Sequence, residues 1–329
     1  TTESFFRLGG DSVSAMQVAA GCRTVGLKVA VADIFRFPSI RQLAERIQDS
    51  GSVSFASAAE DDQTEVWFEL SPIQKLFFER VPDGHNKFTL EFILRLDTPL
   101  PPPEIKRAIE KIVATHSMLR ARFEKRADGQ WGQIIGPDVS RSLRFREHRV
   151  PSMNDRKALQ KIFSISQNTL DIVQGVMIVV DVITTDAGEQ FLGLMAHHLV
   201  IDLVSWRVLL QDLEDILNTG RTIQPLSISF QQWSRLQQSY AQQSLDPSET
   251  LRTEIPRPSM DYWGPEASLG SNTWADATRR TITVSRETTE AIIGAANGAF
   301  HTQPVEIIQA AVLYAFVQAF ENRPAPTMF

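Results

Sequence analysis

Hydrophobic residues recur along the chain with two periods, one close to the 3.6 residues of a helix turn and one equal to the two-residue repeat of a strand. The helical period predicts helices over residues 12–20, 72–80, 103–116, 205–217, 287–297 and 305–320. Alternating or short continuous apolar runs predict strands over residues 88–96, 119–123, 131–135, 176–183, 190–196 and 281–284. Because strands and helices are mixed without strict alternation, the pattern predicts a layered α/β or α+β domain.

The first fifty residues or so have a purely helical pattern. Gly9 and Gly10 predict a turn before the first helix, and Ser39 with Gln42 has the spacing of a capping box before another. Two or three short helices bury too little apolar surface for an independent domain, so we expect this segment to be incomplete.

Composition then divides the chain. Residues 49–64 are rich in Ser, Ala and acidic residues with no sustained period, which predicts a flexible linker. The predicted organisation is a helical segment over 1–48, the linker over 49–64, a mixed lobe over 65–265 and the beginning of a second lobe over 266–329.

Charge and cysteine content exclude several classes of protein. The 329 residues carry 33 Lys and Arg against 39 Asp and Glu, a net charge of −6, which argues against nucleic-acid binding. One cysteine, Cys22, excludes a disulfide framework and a cysteine-based zinc site. With no signal peptide and no apolar run of the ~20 residues that span a bilayer, we expect a cytoplasmic protein without a membrane partner. A first residue other than Met predicts a piece of a longer protein.

Ser12 is the first candidate for chemistry. It follows Gly9-Gly10-Asp11 and opens a helix, a place where a hydroxyl is exposed and the backbone can be approached closely. On spacing alone, an N-cap serine in a tight turn is the simpler interpretation.

The second candidate is the string His197-His198-Leu199-Val200-Ile201-Asp202, between a predicted strand and a predicted helix. A histidine at the end of a strand is held firmly and titrates near neutral pH, so it can move a proton. A structural or surface histidine pair is an equally good interpretation without further information. We predict no metal site, because adjacent histidines do not easily share one ion and no third ligand is near in sequence.

The string from Phe5 to Met16, with Gly9-Gly10-Asp11-Ser12 at its centre, resembles the peptidyl carrier (thiolation) domain of nonribosomal peptide synthetases. The resemblance continues through residues 31–35 and 38–44. It implies a small all-α bundle with 4′-phosphopantetheine covalently attached to Ser12 by a phosphopantetheinyl transferase. The segment 1–48 would be a partial carrier domain.

Residues 66–329 resemble the condensation-domain superfamily, whose fold is like that of chloramphenicol acetyltransferase. The resemblance rests on His197-His198-x-x-x-Asp202, supported by residues 71–78, 85–86, 116–123, 229–233 and 262–263. The run Val204-Ser205-Trp206-Arg207 after the aspartate is similar to the epimerization branch in particular. It implies an α/β fold with the first lobe complete and the second truncated.

The same resemblance assigns roles to residues. His198 would be the catalytic histidine and His197 its supporting neighbour. Asp202 would be a buried aspartate that orients the loop, paired with Arg120, so that removing either partner would collapse the loop. Trp206 is more simply a core residue than a substrate contact.

Two features of the sequence depart from the complete epimerization pattern. The family's second acid/base is a glutamate in a Glu-Gly-His-Gly-Arg-Glu-like motif, which would follow Phe329; Glu287, Glu290, Glu306 and Glu321 are interpreted as solvated or capping charges. These 329 residues alone are therefore expected to be inactive. The residue after the motif aspartate is normally glycine, and here Leu203 is expected to crowd the tunnel or tighten the loop.

The resemblance therefore implies an epimerase domain that inverts an aminoacyl or peptidyl thioester held on a carrier. Its neighbours in the assembly line would be an upstream adenylation and a downstream condensation domain. A condensation domain that forms a peptide bond is the nearest alternative. A non-catalytic module that docks the loaded carrier stays open, and a free CoA-dependent acyltransferase is a weaker possibility.

Overall fold

The computed structural model of the chain describes residues 3–6, 8–24, 27, 29–49, 62–84, 88–220, 228–246, 277–300 and 302–323. The chain divides into two compact units, Thr1–Leu245 and Asp246–Phe329. The predicted boundary at residue 265 lies outside the described residues and stays a prediction.

Three helices occupy the first fifty residues, as the sequence pattern predicts. They are α1 (Ser12–Thr24), α2 (Val31–Arg36) and α3 (Ile40–Asp49). The buried hydrophobic cluster of this segment consists of Ala15, Ala19, Val29 and Ile34. The capping box before α3 is confirmed, since the Ser39 hydroxyl accepts from the Gln42 backbone N–H and the Gln42 side chain accepts from the Ser39 N–H.

The mixed lobe contains the remaining elements of the first unit. In chain order these are α4 (Pro72–Arg80), β1 (Thr89–Leu96), α5 (Pro102–Thr115), a 3₁₀ helix (Ser117–Arg120), β2 (Ala121–Lys125), β3 (Trp131–Ile135), α6 (Val139–Ser142), β4 (Leu143–Val150), α7 (Arg156–Thr169), β5 (Ile178–Thr185), β6 (Gln190–His197), α8 (Leu203–Thr219) and α9 (Phe230–Ser244).

A four-stranded mixed sheet in the order β1-β6-β5-β4 is the centre of this lobe. β6 is antiparallel to both β1 and β5, whereas β4 and β5 run parallel. In β5, Ile178, Val180 and Val182 belong to the core cluster that also contains buried residues of α5 and α8. Val179 and Ile183 belong to clusters on the opposite face, with side chains of α7. Burial on both faces explains why residues 178–183 of β5 are apolar except for Asp181.

A second, two-stranded sheet of β2 and β3 packs with α4. Its cluster includes Phe78 of α4, whose ring stacks on Trp131 with centroids 4.4 Å apart. Leu199, from the loop between β6 and α8, is buried in the same cluster. The small sheet therefore supports the loop that carries the histidine pair.

The predicted boundary at residue 65 stays a prediction, and two residues before it contact the lobe. The Gln63 backbone N–H donates to the Gln231 side chain at 2.9 Å, and the Gln231 amide donates back to the Gln63 carbonyl. Thr64 forms a β-bridge with Ile135. These two residues of the predicted linker are therefore packed against the lobe. Residues 50–61 lie outside the described part of the chain.

Several predicted elements differ from the observed ones. Leu119 lies in the 3₁₀ helix and not in a strand, because β2 begins only at Ala121. β4 was not predicted, since charged residues such as Arg146 and His148 interrupt its apolar pattern. They lie there because both bond the buried carboxylate of Asp181 on β5.

The described part of the second unit contains α10 (Arg286–Ile293), α11 (Ala295–Phe300) and α12 (Pro304–Ala319). The predicted strand at 281–284 is wrong: this stretch is irregular and exposed, and Ile282 is 86% exposed. An alternating pattern forms a strand only beside another strand, and none pairs with it among the described residues. The helix predicted over 287–297 is divided at Gly294 into α10 and α11.

Candidate active site

The histidine pair lies where β6 ends and the chain turns into α8. His197 is the last residue of β6, and its backbone N–H donates to the Met177 carbonyl at 3.1 Å. The His198 backbone N–H donates to the Phe88 carbonyl at 2.8 Å, and the Val200 backbone N–H donates to the His197 carbonyl at 3.1 Å. Three backbone hydrogen bonds therefore fix the turn that presents the two imidazoles.

The His198 ring has a defined tautomer. Its Nδ1 lies 2.7 Å from the Ile201 carbonyl oxygen, which can only accept, so Nδ1 carries the proton. The ring also stacks on Phe88, with centroids 4.6 Å apart and planes at 30°. Nε2 then holds the lone pair and makes no hydrogen bond within the described part of the chain. A half-buried imidazole in this state is ready to accept a proton.

His197 is placed differently from its neighbour. Only 2% of the residue is exposed, and its Nδ1 accepts a hydrogen bond from the Leu199 backbone N–H at 3.2 Å. The Phe77 ring meets the imidazole edge to face at 5.8 Å. This environment is consistent with the supporting role predicted for His197, which stays a prediction.

Asp202 is exposed, contrary to the expectation of a buried aspartate. It is the N-cap of α8, where its carboxylate accepts from the Ser205 backbone N–H at 2.7 Å and from the Ser205 hydroxyl at 2.6 Å. A carboxylate in this position satisfies a free N–H of the first turn and interacts favourably with the helix dipole.

Arg120 does not pair with Asp202, and the prediction of this ion pair is wrong. Its guanidinium donates instead to the carbonyls of Gly136, Val113 and Ala114, at 3.0, 2.6 and 2.5 Å. Burial lowers the pKa of Arg120, because a guanidinium loses hydration there, and the charge of Asp62 opposes this shift. Arg120 thus joins the C-terminal end of α5 to the residue after β3.

A cavity of about 340 Å³ is associated with Arg120 and not with the histidines. Its lining residues are Glu65, Arg120, Arg122, Gly136, Pro137, Asp138, Arg141, Ser142, Gln174 and Gly175. The cavity therefore does not by itself mark the site around His198.

Leu203, at the position where the family usually has glycine, is the first residue of α8. Its side chain is 54% exposed. Its effect on activity stays a prediction.

Two residues of the site were not predicted in their role. The sequence pattern predicts Phe88 only as the start of a strand, and Gln74 lies within the resemblance over residues 71–78 without a role of its own. In the structure, Gln74 donates to the Leu199 carbonyl at 2.9 Å across 125 positions of sequence. The sequence signal for Gln74 is its polar type on the buried face of α4, which indicates a buried hydrogen bond but does not identify the partner.

Ser12 is the first residue of α1, and the residue that caps this helix is Asp11. The Asp11 carboxylate accepts from the Ser14 N–H at 2.7 Å, and the Ser14 hydroxyl accepts from the Asp11 N–H at 2.8 Å. The interpretation of Ser12 as an N-cap is therefore wrong. Gly9 has a φ of +95°, and a Cβ on Gly10 would lie 2.4 Å from the Phe5 ring, so both positions of the turn require glycine.

Among the described residues, no group of three or more His, Cys, Asp or Glu side chains is placed to hold a metal ion. No helix in that part of the chain has the length and apolar character that crossing a membrane requires.

Comparison with known proteins decides the family. The family model described as Condensation domain matches residues 65–250, more than half of the chain. The chain belongs to the condensation domain family. Before this condensation domain, residues 1–47 match the family model described as Phosphopantetheine attachment site, which confirms 4′-phosphopantetheine as the covalent cofactor of this segment.

Relatives of this condensation-family chain are fungal synthetases. The nonribosomal peptide synthetase ungA of Aspergillus violaceofuscus is 41% identical over 329 residues, which is 99% of this chain and 3% of ungA. The nonribosomal peptide synthetase fmqA of Aspergillus fumigatus is 39% identical over 332 residues, covering 99% of this chain and 8% of fmqA. The chain thus spans a small part of the synthetases it matches.

Solved structures confirm the fold of the lobe. The epimerization domain from the third module of tyrocidine synthetase B matches with a TM-score of 0.57 and 23% identity, covering 78% of this chain and 61% of that one. The first condensation domain of the calcium-dependent antibiotic synthetase in complex with substrate analogue 2a also gives a TM-score of 0.57, with 20% identity and the same coverage. The chloramphenicol-acetyltransferase-like fold implied by the sequence is therefore confirmed. Truncation of the second lobe stays a prediction.

Proposed function

We propose that this condensation-family domain epimerizes an L-aminoacyl or peptidyl thioester held on the carrier segment that precedes it. The observation that carries the proposal is the tautomer of His198. Because His198 Nδ1–H donates a hydrogen bond to the Ile201 carbonyl, Nε2 is the basic atom of the ring. An imidazole nitrogen with an available lone pair can remove an α-proton and return it.

Epimerization needs two groups, since the proton leaves one face of the α-carbon and returns to the other. His198 supplies one of them. Among the described glutamates of the second unit, Glu287 and Glu290 are exposed on α10, and Glu306 bonds the Gln303 N–H at the start of α12. These glutamates therefore have solvated or capping roles. None of these glutamates is proposed as the second acid/base.

The choice of epimerization over other reactions rests on the sequence after the histidines. Val204-Ser205-Trp206-Arg207 is similar to the epimerization branch, and the structure places this run in the first turns of α8. Leu203 precedes it as the first residue of the same helix. This position puts the run directly beside the turn that holds His198.

We place the attachment of 4′-phosphopantetheine on Ser12, where the local structure fits the group. Leu8, Gly9 and Asp11 are exposed around the turn, so a transferase can reach it. The arm supplies the thioester that acidifies the substrate α-hydrogen. An adenylation domain would load it, a later condensation domain would accept the product, and the site of action would be the cytoplasm.

Condensation is the second candidate function, favoured by the family model that matches residues 65–250. His198 would then position or deprotonate the acceptor amine, which needs the same Nε2 lone pair. A docking module that only holds the loaded carrier is the remaining alternative, and Leu203 in place of glycine is the feature that favours it.

The test uses a synthetase module that carries this sequence, loaded on Ser12 with an aminoacyl group deuterated at the α-carbon. Epimerization predicts loss of deuterium to solvent and a mixture of enantiomers without chain elongation. His198→Gln should slow this exchange about 100-fold or more, the usual contribution of a general acid/base. Ser12→Ala, which cannot be loaded, gives the background.

Each alternative has its own outcome in this assay. Elongation with the deuterium retained would show condensation. Binding of the loaded carrier with neither exchange nor elongation would show docking alone. An unchanged rate of deuterium loss in His198→Gln would show that His198 does not act in the reaction.

A further inference from the structure

The peptide between Leu199 and Val200, in the turn after His198, is held at both ends. Its carbonyl oxygen accepts from the Gln74 side-chain amide at 2.9 Å, and its N–H donates to the His197 carbonyl at 3.1 Å. The orientation of this peptide decides where the next residue, Ile201, places the carbonyl that bonds His198 Nδ1. A side chain of α4 therefore bonds the turn that sets the His198 tautomer.

Gln74 is suited to hold this peptide because every hydrogen-bonding position of its amide is used. Its Oε1 accepts from the Ser71 backbone N–H and from Gln133 Nε2, each at 2.9 Å. Its Nε2 donates to the Leu199 carbonyl at 2.9 Å and to Gln133 Oε1 at 3.0 Å. The Ser71 N–H can only donate and the Leu199 carbonyl can only accept, so the amide has a single orientation.

The contact between Gln74 and the Leu199 carbonyl is buried. Gln74 is 2% exposed and Gln133 is 0% exposed. A buried carbonyl without a hydrogen-bond donor is unfavourable in free energy. Without Gln74, the Leu199 peptide would therefore be favoured to rotate toward another donor. The Leu199 side chain is buried in the cluster of the small sheet, which limits movement to the peptide itself.

We propose that Gln74 is a positioning residue for His198: it holds the Leu199–Val200 peptide so that the Ile201 carbonyl keeps the proton on Nδ1 and leaves Nε2 as the base. The inference rests on the proposed acid/base role of His198 for its effect on rate. Its structural part, the tautomer and the rigidity of the turn, is independent of the reaction.

The matched pair Gln74→Met and Gln133→Met tests the proposal in the 329-residue chain. Both substitutions remove the reciprocal amide pair and put a side chain of similar volume in its place. Only Gln74→Met leaves the Leu199 carbonyl without its donor, because Gln133 bonds Gln74 and the Glu69 carbonyl but not the turn. The readouts are the ring nitrogen chemical shifts of His198 and the hydrogen-exchange rate of the Val200 amide.

In Gln74→Met we expect the Val200 amide to exchange about tenfold faster, the effect of losing one hydrogen bond of average strength, and the His198 nitrogens to shift toward a mixture of tautomers. In Gln133→Met both readouts should stay near those of the unmodified chain. Equal changes in the two variants, or no change in a folded Gln74→Met, would overturn the proposal.

If Gln74→Met does not fold, Gln74→Asn gives the same comparison, since its amide is one methylene too short to reach the Leu199 carbonyl. In the synthetase module, Gln74→Met should lower the rate constant of α-proton exchange, and Gln133→Met should leave it near that of the unmodified module. If the module shows no α-proton exchange but the two variants still differ in the His198 nitrogen shifts, the proposed function is contradicted. The structural part of this inference is then still supported.

Discussion

At the scale of single residues, Asp202 has a different role from the one its motif implies. A buried aspartate paired with an arginine would cost about 3–5 kcal/mol to remove, because the partner charge would be left unpaired. An exposed N-cap costs about 0.5–2 kcal/mol. The structure has the second arrangement, with Ser205 as the partner of Asp202.

Asp202→Ala should therefore lower the free energy of unfolding by about 1 kcal/mol, measured by urea denaturation, and Asp202→Asn should recover most of the loss. Arg120→Ala should be destabilising on its own account, since it leaves three carbonyls without a donor. Because the two residues do not touch, their effects should add to within about 0.5 kcal/mol in the double variant. A larger coupling free energy between the two substitutions would support the ion pair between Asp202 and Arg120 that the sequence motif implies.

At the scale of elements, α8 is fixed to the sheet through Trp206. Only 1% of this residue is exposed, and its ring meets Phe92 of β1 edge to face at 5.4 Å. Its indole Nε1 is buried and has no hydrogen-bond partner within the described residues. This environment supports the interpretation of Trp206 as a core residue, although the same tryptophan contributes to the epimerization resemblance.

Trp206→Phe should change the free energy of unfolding by less than about 1 kcal/mol, because the loss of apolar surface is offset by removing a buried, unpaired N–H. Trp206→Ala should cost about 3–5 kcal/mol through the cavity it leaves. Trp131→Phe is the matched control, since the Trp131 indole N–H donates to the Pro82 carbonyl at 3.1 Å. Loss of this hydrogen bond should lower the free energy of unfolding. If Trp206→Phe abolishes exchange in a stable module, the tryptophan has a role in the reaction beyond packing.

The same elements show what a sequence can predict. α5, α8, β5 and β6 follow from their periods, because each of them buries one face in the same core. β4 does not, since half of its side chains are charged and its place beside β5 depends on Asp181, more than thirty positions away. The histidine turn was found from its motif, whereas the contact between Gln74 and Leu199 joins two elements whose proximity no local pattern encodes.

At the scale of the whole molecule, the chain carries a substrate-holding segment and a condensation-family domain on one polypeptide. Residues 1–47 match the phosphopantetheine attachment site and residues 65–250 the condensation domain. If the residues between them are the flexible linker that their composition predicts, the arm on Ser12 reaches the turn at His198 at an effective concentration of about millimolar. A carrier on a second molecule would have to compete at its actual, micromolar concentration.

Mixing the two inactive variants Ser12→Ala and His198→Gln tests this arrangement. The loaded arm is then on one molecule and the intact histidine on the other. At micromolar protein, we expect the rate of α-proton exchange to be about 100-fold or more below that of the unmodified module, and to rise in proportion to protein concentration. The unmodified module, whose reaction is intramolecular, should show a rate per molecule that does not depend on concentration. Full recovery in the mixture at micromolar protein would mean that the arm serves a neighbouring molecule, and that joining the two segments in one chain does not set the rate.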